Sequence, residues 1–330
     1  MKSIHQPSRE SIAKNARTRR EFLGTAGALA ATSVGASSWL AGSGAVHAGP
    51  SFSSRAETVI GEMYESLTEN QRAAVCKSFN DPLRKHVNAN WHVVKANIGS
   101  DFYSKSQQSM ALEIVKQLTS ESGHETILKQ TEYDDGGLGS YSVAWFGKPG
   151  DASFEWMLTG RHLTLRADGN TQKKTVFGGP IVYGHGEESS PEDNLFYFQT
   201  QKVNRVFAAL DPEQRKKALL ATDIPDESDV LVQARDSYAG LSVSQLSDDQ
   251  RQLVNEALTS ILGVYREEDA AEAKEILDEV GGLNSLNLQF YANDDLLSDG
   301  VWDMWRIVGQ RATIHFRGAP HVHAFIHIQG

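Results

Sequence analysis

The last twenty residues of the chain alternate with a strictness that leaves few folds open. Val322, Ala324, Ile326 and Ile328 alternate with His321, His323, Phe325 and His327, and upstream Ala312, Ile314 and Phe316 alternate with Arg311, Thr313, His315 and Arg317. A period of two belongs to a strand with one buried face. A one-residue slip would turn every side chain over, so the two strands must pair with their apolar faces together. Gly318-Ala319-Pro320 marks the turn, since proline cannot donate to a ladder. This parity sets His315 opposite His321 or His323 and gathers three imidazoles on the polar face. A further strand over 302–308, joined through a type II′ turn at Gly309-Gln310, completes a three-stranded meander.

Imidazole is the commonest protein ligand for transition metals, and two histidines at i and i+2 on a strand can lean towards one ion. His321, His323 and His315 are therefore candidate ligands for zinc, iron or copper. His327 lies roughly 13 Å along the strand from His323, too far to share that ion. The competing reading is a polar sheet face whose histidines hydrogen-bond to their neighbours and hold no metal.

The first 48 residues read as an address. Thr18-Arg19-Arg20-Glu21-Phe22-Leu23 fits the twin-arginine export pattern, a Gly/Ala-rich weakly apolar core follows, and Val46-His47-Ala48 offers a cleavage site. The expected compartment is periplasmic or secreted, with the twin-arginine translocation machinery as a partner and no stable membrane anchor, because large apolar residues are too few for a span. Those 48 residues carry six basic and two acidic side chains, so a net charge of −10 for the whole chain becomes about −14 for residues 49–330. That balance argues against nucleic acid. The single cysteine, Cys76, allows no internal disulfide.

Residues 49–330 are expected to form a single α+β domain. Capping boxes open helices at Thr68, Asp211 and Ser247, each with Gln three places later. Period and punctuation predict helices over 55–67, 69–79, 106–119, 191–209, 212–221, 248–262 and 268–280. Strands are predicted over 141–146, 153–158, 161–166 and 175–177, besides the meander. Strand blocks separated by helix blocks imply one antiparallel sheet, including the C-terminal meander, flanked by helices.

The central strands add polar candidates. His162 points away from the apolar row of Leu163 and Leu165, so on a continuous sheet it can join the C-terminal histidines as a metal ligand. Glu155 is a candidate metal ligand, general base, or acceptor that orients an imidazole from behind, and Trp156 a candidate pocket wall. Gly184-His185-Gly186 allows close backbone approach, making His185 a candidate at a pocket mouth. Asp134-Asp135 and Asp294-Asp295 read as loop carboxylates. Nucleophile elbow, H-E-x-x-H, paired-cysteine and dinucleotide motifs are absent.

Arg306-Ile307-Val308-Gly309 followed by an apolar strand and His321-Val322-His323, together with 156–165 and Phe177-Gly178-Gly179-Pro180, resembles the bacterial family catalogued as domain of unknown function 3500. The similarity extends over about 57–328. Members often carry G-H-H-L where this chain has Gly160-Arg161-His162-Leu163, and an acidic residue in place of His315. The resemblance implies no established activity. The residues themselves point to a His-rich metal site, with metal-dependent hydrolysis as the natural chemistry for an enzyme and redox chemistry at a histidine-ligated iron or copper equally compatible with the ligands. The alternative is a non-enzymatic periplasmic binding or structural protein whose histidine and aromatic face holds a small-molecule ligand.

Overall fold

The computed structural model describes residues 55–187, 193–294 and 300–330; the twin-arginine segment lies outside them. Eight α-helices are present among the described residues: α1 (Arg55–Ser66), α2 (Glu69–Val75), α3 (Lys105–Gln117), α4 (Glu121–Asp135), α5 (Tyr197–Ala209), α6 (Pro212–Ala218), α7 (Asp248–Leu262) and α8 (Glu267–Asp278). Among the same described residues eleven strands form one sheet: β1 (Cys76–Lys77), β2 (Ser142–Gly147), β3 (Phe154–Gly160), β4 (Leu163–Ala167), β5 (Ile181–His185), β6 (Leu219–Leu220), β7 (Leu241–Ser242), β8 (Leu286–Tyr291), β9 (Met304–Gly309), β10 (Ala312–Arg317) and β11 (Val322–Ile328). Their order is β1-β2-β3-β4-β5-β11-β10-β9-β8-β6, with β7 beside β8. Pairing is antiparallel except for β1 on β2 and β6 on β8, which are parallel.

The three capping boxes read from the sequence are formed, with a fourth at Ser104 and Gln107. The second helix stops at Val75, short of 79, because Cys76 and Lys77 leave it to pair with Trp145 and Phe146. The helix α4 and the strands β1, β5, β6, β7 and β8 are additions to the expected elements. The strand expected at 175–177 is instead a 3₁₀ turn, Val176–Gly178, in which Phe177 has φ 63°.

The sheet has two unlike faces. Its apolar face carries Trp145, Trp156, Leu158, Leu163, Leu165, Tyr183, Ile307, Ile314, Ala324 and Ile326 into one core with Ile60 and Met63 of α1, Ile114 of α3, Val203 of α5, Ile261 of α7 and Ile276 of α8. The opposite face is covered by irregular chain: Val87 and Ala89 from one segment and Val230 from another pack on Val182 and Phe325. Irregular cover brings polar groups from distant parts of the sequence onto the sheet, and the polar residues of β8 to β11 face this layer.

The meander is formed, with a different register from the one expected. The ladder of β10 and β11 closes at Arg317 opposite His323, with residues 318–322 between them, and places His315 opposite Phe325. His315 thus shares the histidine face but sits a full pair further along the strands. The β9–β10 connection is Gln310-Arg311, one position later than expected, because Gly309 stays in β9 opposite Leu286. His162 is not in a strand: it closes the β3–β4 turn with φ 54°.

A histidine triad as candidate metal centre

Three segments meet at the seam where the two halves of the sheet join, β5 against β11. In this pairing His323 lies opposite Gly184. A Cβ at Gly184 would fall 2.2 Å from the carbonyl oxygen of Val322 and 3.3 Å from Cβ of His162. Glycine there leaves the room that His162 uses to reach over the seam. Its backbone N–H, held by the carbonyl of Ala89 at 2.6 Å, fixes the turn. The ring centroid of His162 then lies 4.7 Å from that of His323 and 5.1 Å from that of His321.

One ring nitrogen of each histidine lies within 4.8 Å of the other two, and Nε2 of His321 and of His323 are 3.0 Å apart. Tetrahedral coordination at about 2.0–2.1 Å per bond places ligand nitrogens about 3.3–3.4 Å apart.

Proton positions follow from the partners. His162 Nδ1 lies 2.9 Å from Asp134 Oδ2, and His323 Nδ1 lies 2.8 Å from Glu227 Oε1. An ionised carboxylate only accepts, so each Nδ1 carries a hydrogen, and in the neutral ring the lone pair is on Nε2. A carboxylate behind the imidazole is the arrangement that orients metal-binding histidines. Arg317 provides a second reading of the same lone pairs: its Nη2, which can only donate, lies 2.8 Å from Nε2 of His323 and 3.0 Å from Nε2 of His321. Burial, reinforced for His321 by Arg317, pushes the pKa of both His321 and His323 down to about 4, so both are neutral near pH 7.

The carboxylates are themselves held. Asp134, in the last turn of α4, accepts from Gln130 Nε2 at 2.8 Å and from the N–H of Gly186 at 2.8 Å. Burial works against its charge, yet the hydrogen bonds from His162 and Gln130 keep its pKa below the ordinary carboxylate value. Glu227 is likewise opposed by burial and held below the ordinary value by His323 and Arg317, whose Nη1 lies 3.3 Å away.

Of the sequence candidates, His162, His321 and His323 are brought together. His315 is not: its Nδ1 accepts from Nε of Arg306 at 2.9 Å. Glu155 lies buried between Arg166 and Arg84, with both carboxylate oxygens engaged. Trp156 is completely buried on the apolar face, away from the histidine side. His185 ends β5, accepts from the N–H of Leu195 at 3.3 Å and packs on Tyr133, outside the triad. His327 accepts from the N–H of Val232 at 2.8 Å. Asp134, Glu227 and Arg317 were not read as site residues. Asp134 looked like half of a loop pair but ends a helix, and Glu227 comes from covering chain 96 positions from its histidine. The one available signal was Gly184-His185-Gly186, whose glycines do mark close approach: a Cβ at Gly186 would lie 2.5 Å from Asp134 Oδ1.

No curated protein and no solved structure matches the chain. Residues 53–326, which include all three histidines of the cluster, match the family described as Protein of unknown function (DUF3500), and the chain belongs to that family.

Proposed function

We propose that the triad is a mononuclear metal centre in an exported enzyme, holding a divalent transition ion on Nε2 of His162, His321 and His323 and using it for hydrolysis. The observation that carries this reading is three converging ring nitrogens, two of them backed by a carboxylate on the other nitrogen of the same ring. Three protein ligands leave a coordination position open, the pattern of catalytic and not structural zinc sites. An ion there lowers the pKa of bound water and polarises a substrate oxygen. The twin-arginine pattern supports export, and no described helix is long and apolar enough to cross a membrane.

One observation favours the competing reading of a metal-free binding protein: Arg317 Nη2 already engages the lone pairs of both His321 and His323. The two separate cleanly. Cobalt(II) added to the tag-free chain gives a one-to-one visible spectrum that acetohydroxamate perturbs, if the centre exists with an open position. A spectrum that acetohydroxamate leaves unchanged refutes the catalytic reading, and no one-to-one spectrum refutes the centre.

A further inference from the structure

Beside the triad, on the same face of the sheet, lies a cavity of about 450 Å³ whose wall includes Arg317 and Glu227, which both touch His323 of the triad. His315 lines it too. Because Arg306 can only donate to His315 Nδ1, the neutral imidazole carries its hydrogen on Nε2, and that nitrogen makes no hydrogen bond to the described residues. The donors at this wall include His315 Nε2–H and the Arg317 guanidinium, whose Nη2 engages His321 and His323 and whose Nη1 lies 3.3 Å from Glu227. The rest of its wall combines apolar groups, among them Val87, Pro225 and Met304, with the neutral polar Asn88 and Ser228 and the carboxylates of Asp226 and Glu227.

We propose that this cavity binds a small organic monocarboxylate, its carboxylate on Arg317 and His315 and its apolar body against Val87, Pro225 and Met304. The proposal rests on the metal reading only for what the ligand's position is for: it places the bound molecule beside the ion. Paired donors suit a carboxylate. Two wall carboxylates repel a dianion such as phosphate more than a monoanion. Arg317 also couples cavity to centre. When an ion takes the lone pairs of His321 and His323, the Nη2 hydrogens lose those acceptors, and a ligand carboxylate can take their place. Loading the metal thus tightens anion binding.

Phenylacetate, with inorganic phosphate for contrast, is titrated calorimetrically into the tag-free chain with and without zinc, beside Arg317→Lys and His315→Gln. Arg317 is about a quarter exposed, so its lysine variant keeps the fold even where the buried His315 variant does not. Saturable one-to-one binding of phenylacetate, tighter than phosphate, weakened about tenfold or more by Arg317→Lys, is expected, as for loss of a charge-assisted hydrogen bond. No saturable binding to either form, equal binding by Arg317→Lys, or preference for phosphate overturns the proposal. Zinc content is measured on the same samples. A chain that binds phenylacetate in this way yet takes up no zinc refutes the metal centre and leaves the cavity assignment standing.

Discussion

Asp134→Asn separates a working metal centre from a cluster of histidines that merely pack together. Three N–H groups converge on the Asp134 carboxylate: His162 and Gln130 on Oδ2, and Gly186 on Oδ1. An amide offers one oxygen and one NH₂ in place of two oxygens. With the oxygen towards His162, the NH₂ faces the backbone N–H of Gly186, which cannot turn away. With the oxygen towards Gly186, the NH₂ faces Nδ1 of His162 and demands a lone pair there, which moves the imidazole hydrogen to Nε2 and removes the ligand atom. The first orientation leaves a buried donor unsatisfied, at a cost of about 1–3 kcal/mol of stability. The second weakens the ion directly. Loss of such an outer partner costs roughly 10–100-fold in metal affinity, or about 1.4–2.7 kcal/mol. Competition against a chromogenic chelator at pH 7 measures affinity, and circular dichroism establishes that the variant is folded. Unchanged zinc affinity in folded Asp134→Asn refutes the role assigned to the carboxylate.

Glu155→Gln is expected to lower stability by about 3–5 kcal/mol in chemical denaturation, because it leaves buried Arg166 without its counter-charge, and to leave zinc affinity unaltered; intact stability with lost activity would restore Glu155 as a general base. Gly184→Ala, whose added methyl meets the Val322 carbonyl, is expected to cost about 1–3 kcal/mol and to weaken metal binding; a variant with native stability and affinity contradicts the close approach. His327 tests the pH dependence. Burial, aided by Arg166, lowers its pKa to about 4 from the ordinary 6.5. A depressed folded pKa means that its contribution is present above 6.5 and lost as the pH falls towards 4, roughly 2 kcal/mol between pH 7 and pH 5. His327→Gln should flatten the acid limb of the stability curve by about that amount, and an unchanged limb rejects the assignment.

Strand and helix identity were legible because each rests on a local pattern: alternation for β10 and β11, and the Thr68, Asp211 and Ser247 boxes for α2, α6 and α7. Register was not, since the ladder closes at Arg317 and His323, two residues beyond the expected Gly318-Ala319-Pro320 turn, which moves His315 from opposite His323 to opposite Phe325 and keeps it on the same face, and no periodicity reports loop length. Two of the four residues read as metal ligands came from the i, i+2 spacing of His321 and His323. His162 reached them by an unforeseen route, a left-handed turn in place of a strand. The supporting carboxylates were opaque, because Asp134 and Glu227 meet their histidines only through folding across 28 and 96 positions.

Elemental analysis of the tag-free chain, beside His321→Ala/His323→Ala, tests the central claim most directly. About one transition-metal ion per chain is expected in the parent, and its loss in a double variant that circular dichroism finds folded. A parent that takes up no ion after exposure to zinc, iron(II) and copper(II), or a folded double variant that retains the same stoichiometry, contradicts the metal centre.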